Sequence, residues 1–378
     1  MMMKSSSTLF RLFGIDIKLH ISWWFIFILL GWSLSSSYFP HILPDLNPYV
    51  YWSMGIAAAL LLFISVLLHE LSHSLVAKAK KIKVDSITLF FFGGVAGISD
   101  EDMKPSVELQ MALAGPLFSI LLAGIFHVIT IKNGNLIITA ITSYLSQLNL
   151  TLGIFNLIPG FPLDGGRALR AILYWHYKDL RKATYIAAMG GKFLAGVLIF
   201  VGIFGMLSGL GNGLWFILLG GFLYFLAKMS YEQVVVIQIL SRTPVSQILT
   251  SKFMTLPPSL KFIDFVDKYS SSSDQDGFLV KGKQYLGILD IHRVDAMPVS
   301  LQETTPLEKL AIPVHSIKTL GTKDTAYTAF KYFNEYDVGL LPVMDAGKIK
   351  GIVTRKAVMH RLMLGMKFGI SEKLRGKA

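Results

Sequence analysis

The stretch Val66-Leu67-Leu68-His69-Glu70-Leu71-Ser72-His73-Ser74-Leu75 closes a long apolar run that begins near Trp52. Read as helix, it sets His69 and His73 four residues apart on one face. Two imidazoles so placed can hold one zinc ion, and Glu70 between them can serve as general base. Three ionisable side chains at the end of an apolar segment are costly to bury in lipid, so the stretch reads as a functional site in a membrane span. In a soluble helix the pattern would often be a surface accident. At membrane depth each polar group needs a partner, and the plain rival is a buried polar packing cluster.

The rest of the chain supports a membrane setting. Its 378 residues are 53% hydrophobic, too apolar for a soluble protein, and the apolar residues cluster in runs of spanning length. The formal net charge of +12 is what cytoplasmic loops of a membrane protein accumulate, so nucleic acid is not the expected partner. Cysteine is absent, so there are no disulfides and a metal site must use His, Asp or Glu. The first apolar run follows Lys18 and reads as a retained span rather than a cleavable signal.

Six spans are expected, at about 21–38, 52–78, 107–131, 136–158, 189–208 and 213–229. Residues 84–98 differ: Val84, Ile87, Thr88, Phe90, Phe91 and Phe92 favour strand, and Gly93-Gly94 invites a tight turn. They predict a hairpin beside or partly inside the membrane. After the fourth span, Pro159 and Pro162 break the helix. Leu163-Asp164-Gly165-Gly166-Arg167 then leads into a short amphipathic helix with Arg170, Lys178, Arg181 and Lys182. Lys and Arg gather in the N-terminus and in the 78–104 and 167–192 loops. The 39–51 and 209–212 loops have none. Both termini are therefore expected in the cytoplasm, with His69, His73 and Asp164 at cytoplasmic span ends. Lys78 follows His69 by nine residues, placing a metal about 14 Å from the charged end.

Two imidazoles leave zinc short of the three protein ligands a hydrolytic site uses. Asp164 is the best third ligand; its plain reading is an N-cap for the helix it precedes, and it can serve as both. Asn156, near the end of the fourth span, is either an interhelical hydrogen bond or a donor to the oxyanion or substrate backbone. The lone His20 and His127 read as interfacial or packing residues. Gly115-Pro116 reads as close packing and a local bend.

From about Arg242 the chain is mixed α/β and soluble in character. Gly277-Phe278-Leu279-Val280 with Tyr285-Leu286-Gly287-Ile288-Leu289 matches Gly339-Leu340-Leu341-Pro342-Val343 with Ile349-Lys350-Gly351-Ile352-Val353. Each is strand, turn, strand after a helical stretch, which reads as an internal duplication.

On His69-Glu70-Leu71-Ser72-His73, Phe92-Gly93-Gly94, Ala114-Gly115-Pro116, Asn156-Leu157-Ile158-Pro159 and Leu163-Asp164-Gly165, the first 230 residues resemble the site-2 protease family of intramembrane zinc metalloproteases. The resemblance implies His69, His73 and Asp164 as zinc ligands, Glu70 as base and Asn156 near the substrate. The C-terminal repeats resemble a tandem CBS pair. The expected organisation is a membrane domain over 1–230, a linker over 231–242, CBS domains over 243–296 and 304–364, and a tail over 365–378. CBS pairs often bind adenine nucleotides through a Ser/Thr and an Asp three residues later. Here Thr354 is present but Ala357 stands at the Asp position, and the first repeat has Asp290 and Arg293.

The expected fold class is thus an α-helical polytopic membrane protein: six transmembrane helices, a membrane-associated β-hairpin and a cytosolic α/β tandem CBS module. The expected function is zinc-dependent hydrolysis of peptide bonds in or near transmembrane segments. Single-span membrane proteins are the substrates, and the CBS pair regulates access. Membrane lipids and a second copy, through the CBS domains, are the other expected partners. Gly93, Gly94 and the strands around them are expected to hold an unwound substrate as an added strand; a plain interfacial element is the rival. A metal transporter or sensor with CBS regulation is the alternative activity. It is weakened because the extracytoplasmic loops offer little beyond His41 and Asp45. An inactive, substrate-binding relative is disfavoured by the intact Glu70 and Asp164.

Overall fold

The computed structural model describes residues 6–90, 93–98, 103–209, 211, 213–251, 253–269, 277–283, 286–290 and 305–368. The chain divides into two compact units, Met1–Tyr231 and Glu232–Ala378.

Among the described residues, six helical stretches are long and apolar enough to cross a membrane: Ile21–Ile42, Pro48–Ala79, Pro105–Lys132, Leu136–Asn156 and Leu180–Leu207 in the first unit, and Gly213–Ser241, which begins there and runs on into the second. The first comprises α1 (Ile21–Ser33), a π-helical turn over Leu34–Tyr38, and α2 (Phe39–Ile42). The other spans are α3, α4, α5, α7 and α8, in that order. A shorter helix, α6 (Asp164–Tyr177), lies between α5 and α7. Helix starts follow local chemistry. Asn47 caps α3 by accepting from the Tyr49 N–H, with Pro48 at the first helical position, where no N–H is needed. Asn135 caps α5.

Two expected boundaries move. The fifth span begins at Leu180, not near 189, because Asp179 accepts from the Arg181 and Lys182 N–H groups. Lys178 ends α6 in the left-handed region at φ 55°, so Arg181 and Lys182 start the long helix rather than finish the short one. The stretch 231–242, read as a linker, is nearly all helix: α8 runs on to Ser241. It contains no Gly or Pro, and Val234, Val235, Ile239 and Leu240 are buried, so nothing stops the helix and packing retains it.

The 84–98 segment forms strands β3 (Val84–Phe90) and β4 (Gly93–Ile98), paired antiparallel as expected. It is not a free-standing hairpin. The N-terminus supplies β1 (Ser6–Leu12) and β2 (Ile15–His20), giving a four-stranded sheet in the order β1-β2-β3-β4. β2 and β3 are parallel, with Ile17 opposite Ile87 and Leu19 opposite Leu89. Ile15, Ile17, Leu19, Ile87 and Leu89 form one apolar layer against Leu71, with Val66, Leu67 and Leu68 beside it. The sheet thereby covers the part of α3 that carries the His-Glu motif. Its edge strand on that side is β4.

The second unit repeats one motif. β5 (Thr255–Leu256) pairs parallel with β6 (Gly277–Lys281), which pairs antiparallel with β7 (Leu286–Asp290). Helix Phe262–Tyr269 lies between β5 and β6 in sequence. β8 (Ile312–Pro313) adds to β7. β9 (Leu320–Gly321), helix Ala326–Tyr336, β10 (Leu340–Asp345) and β11 (Lys348–Thr354) follow the same order with the same strand directions. Asp290, buried at the end of β7, accepts from the Gly339 N–H at 2.5 Å and ties the repeats together.

Candidate metal centre

His69 and His73 project from one face of α3, and both are buried. Each ring is held through its outer nitrogen by α4. The His73 Nδ1–H donates to the Met111 carbonyl at 2.6 Å, and His69 Nδ1 shares a hydrogen bond with the buried Ser119 hydroxyl at 2.8 Å. Such partners orient a ligating imidazole and fix its tautomer. The bond to Met111 leaves the Nε2 of neutral His73 as a bare lone pair aimed inward.

Asp164 completes the cluster from α6. The residue before it, Leu163, occupies the N-cap position and makes no side-chain cap bond. Asp164 therefore lies in the first turn and does not use its carboxylate as a cap. Its Oδ2 stands 3.2 Å from His69 Nε2 and 3.2 Å from His73 Nε2, and the two Nε2 atoms are 3.3 Å apart.

This triangle fits a zinc ion. Ligands bound at about 2.0–2.1 Å in a tetrahedral array stand about 3.3 Å apart, which matches all three edges. The bare Nε2 lone pair of neutral His73 and a carboxylate oxygen converge with His69 Nε2, an arrangement that a cation resolves. The wall facing the cluster is Gly115 of α4. A Cβ there would collide with the Nε2 atoms of both histidines.

Comparison with known proteins supplies the family. The model of "Peptidase family M50" matches residues 57–134 and 126–198. Zinc metalloprotease MJ0392 of Methanocaldococcus jannaschii is 32% identical over 380 residues, covering 96% of this chain and 97% of the relative. The chain belongs to peptidase family M50. A solved site-2 protease from the same organism is 35% identical and covers 60% of this chain and 95% of its own, with a TM-score of 0.41. The CBS domain model matches residues 294–364. This M50 chain is therefore a multi-pass membrane zinc metalloprotease with a C-terminal CBS region.

The remaining residues singled out from the sequence fall as follows. Glu70, half-buried, follows His69 on α3, and Gly94 of β4 lies directly against its side chain. A Cβ at Gly94 would occupy the space of the Glu70 carboxyl stem. Gly93 begins β4 at φ 129°, a conformation that side chains rarely adopt. Phe92 lies outside the described residues. Asn156 ends α5, and its Nδ2 donates to the Leu152 carbonyl of its own helix at 3.0 Å. His20 caps α1, its Nδ1 accepting from the Ser22 N–H. Thr354 caps the last helix, Arg355–Phe368, accepting from the Ala357 N–H at 3.2 Å. Arg293 lies outside the described residues. Reading the sequence missed Met111, Ser119 and the wall function of Gly115. A carbonyl and a serine in an apolar run leave no mark. The glycine was noticed, but which side it faces was not legible.

Proposed function

We propose that this protein cleaves peptide bonds in or near membrane-spanning segments of single-span membrane proteins. His69, His73 and Asp164 hold one zinc ion, and Glu70 is the general base. The observation that carries the reading is the 3.2–3.3 Å triangle of donor atoms, contributed by two helices and braced by a third. Zinc, when bound, polarises the scissile carbonyl and makes water a competent nucleophile at neutral pH. Glu70 takes the proton from the attacking water and delivers it to the leaving amine. A helical substrate conceals its peptide bonds and must unwind to be cut. β4, beside Glu70, is the edge of the sheet among the described residues, and an extended segment can add to it as a fifth strand. Asn156, at the end of α5, supports that segment.

Both termini and the CBS pair lie on the cytoplasmic side in this reading, and the positive excess of the N-terminal, 78–104 and 167–192 segments supports it. The CBS pair controls access by packing, within the chain or with a second copy. Adenine nucleotide is the weaker ligand here, since Thr354 serves as a helix cap and Ala357 offers no ribose-binding carboxylate.

The test is Glu70→Gln in the full-length protein. Zinc content is expected to stay at one per chain while cleavage of a membrane substrate falls about 10²- to 10⁴-fold. Undiminished cleavage with zinc retained would remove Glu70 from the mechanism.

A further inference from the structure

Glu108 sits in the first turn of α4, almost fully buried, and the structure gives it one strong partner. Arg170 of α6 donates to a single Glu108 oxygen through Nε at 2.7 Å and through a terminal guanidinium nitrogen as well. The pair is shielded: the Arg170 side chain is 14% exposed and that of Glu108 4%. The guanidinium also lies over the Phe161 ring, 5.1 Å from its centroid. Phe161 belongs to the loop that delivers Asp164, and its own N–H donates to the Ala187 carbonyl of α7 at 3.0 Å.

The arrangement along α4 gives this pair its meaning. Glu108, Met111, Gly115 and Ser119 recur at spacings of three, four and four, which makes one stripe of the helix. Met111 holds His73, Ser119 holds His69, and Gly115 is the wall against both. Glu108 continues the stripe by one turn and grips the helix that bears Asp164. All three donors are thus referenced to a single face of α4, two through their rings and the third through an ion pair six residues along α6. A buried ion pair is weak evidence for stability, since its desolvation cost offsets much of its attraction. It does fix position: two nitrogens on one oxygen leave α6 little freedom to rotate or slide.

We propose that Glu108 and Arg170 are positioning residues for Asp164, setting the distance of its carboxylate from the histidine pair. This rests on the reading of His69, His73 and Asp164 as the metal ligands. The pair does not touch the reacting atoms; it acts through α6.

The test uses purified full-length protein in detergent, with Glu108→Gln, Arg170→Gln and Arg170→Lys. Zinc affinity is measured by competition with a chromogenic chelator, and ligand geometry by the visible d–d spectrum of the cobalt-substituted protein. Glu108→Gln and Arg170→Gln are expected to bind zinc on the order of 10- to 100-fold more weakly, with an altered cobalt spectrum. Arg170→Lys, which keeps the charge but not the fork, falls between them and wild type. Wild-type affinity and an unchanged cobalt spectrum, even with a lowered melting temperature, reduce the pair to a structural tie and overturn the proposal. Should Arg170→Gln not fold, Glu108→Gln, which matches the native side chain in shape, decides on the same two measurements. A wild-type protein that takes up no zinc overturns the metal reading instead, a result distinct from normal uptake by every variant.

Discussion

Two glycines divide the labour around α3, and they separate metal binding from turnover. Gly115 admits the imidazoles and Gly94 admits the Glu70 side chain. Gly115→Ala is expected to force both Nε2 atoms away from the Asp164 oxygen, so the protein purifies with well under one zinc per chain. Elemental analysis of the purified protein reads this directly. Gly94→Ala meets a carboxylate stem and no ligand. Zinc content is expected to remain near one per chain while kcat drops about 10²-fold or more, the scale of a displaced general base. If the two variants lost zinc equally, β4 would be part of the metal scaffold rather than a neighbour of the base. The residues of the triangle itself were legible because their chemistry is costly in lipid: imidazoles and a carboxylate persist in such runs only with a purpose. Met111 was not legible, since any residue at that turn supplies a carbonyl. Ser119 was not, since serine in a membrane helix commonly bonds its own backbone.

At the scale of elements, the sheet is the feature that links the N-terminus to the site. β2 carries a clean alternation, with Ile15, Ile17 and Leu19 buried between half-exposed Asp16, Lys18 and His20. Six residues beside a basic segment are a weak signal. β1 gives less, because no residue of Ser6–Leu12 is buried and no apolar face is imposed on it. The β2–β3 pairing joins Asp16 to Ser86, across two membrane spans, and no local pattern announces such a partner. β3 and β4 were legible for the opposite reason: aromatic and branched residues pair with their immediate neighbours in sequence, although Gly93 and Gly94, expected as the turn, lie in β4 itself, opposite Phe90 and Leu89. The consequence is that a core substitution in β2 should act on the chemistry from a distance. Ile17 is 1% exposed and lies between β3 and α3 contacts. Ile17→Ala is expected to cost about 2–5 kcal/mol in unfolding free energy. It should also lower kcat/KM by loosening β4 beside Glu70. Denaturant unfolding in detergent and cleavage assays on the same preparation measure the two effects, and a stability loss with unaltered kcat/KM would uncouple the sheet from catalysis.

For the whole molecule, the orientation in the membrane decides whether water reaches the metal from the side on which the CBS region lies. With six candidate spans among the described residues, an even number, the proposed topology puts the two ends of the chain on one side. Charge is what supports the cytoplasmic side proposed above. The segment after α3 holds Lys80, Lys81 and Lys83, and that after α6 holds Lys178, while the stretch between α2 and α3 carries no Lys or Arg. The Lys78 ammonium donates to the Phe13 carbonyl, so the N-terminal sheet belongs to the same end of the bundle as these lysines. His69 and His73 lie within the last three turns of α3, on that same end. The absence of cysteine makes the arrangement directly measurable, because each introduced thiol is the only one in the chain. Single substitutions Lys81→Cys, Lys178→Cys and Lys348→Cys are expected to resist a membrane-impermeant maleimide applied to intact cells and to react once the membrane is opened. Asp45→Cys, in the loop between α2 and α3, is expected to react in intact cells. The reverse pattern would put the metal near the outer face and the CBS region outside the cell. Cytoplasmic control of access would then have no physical basis, whatever the geometry of the zinc site.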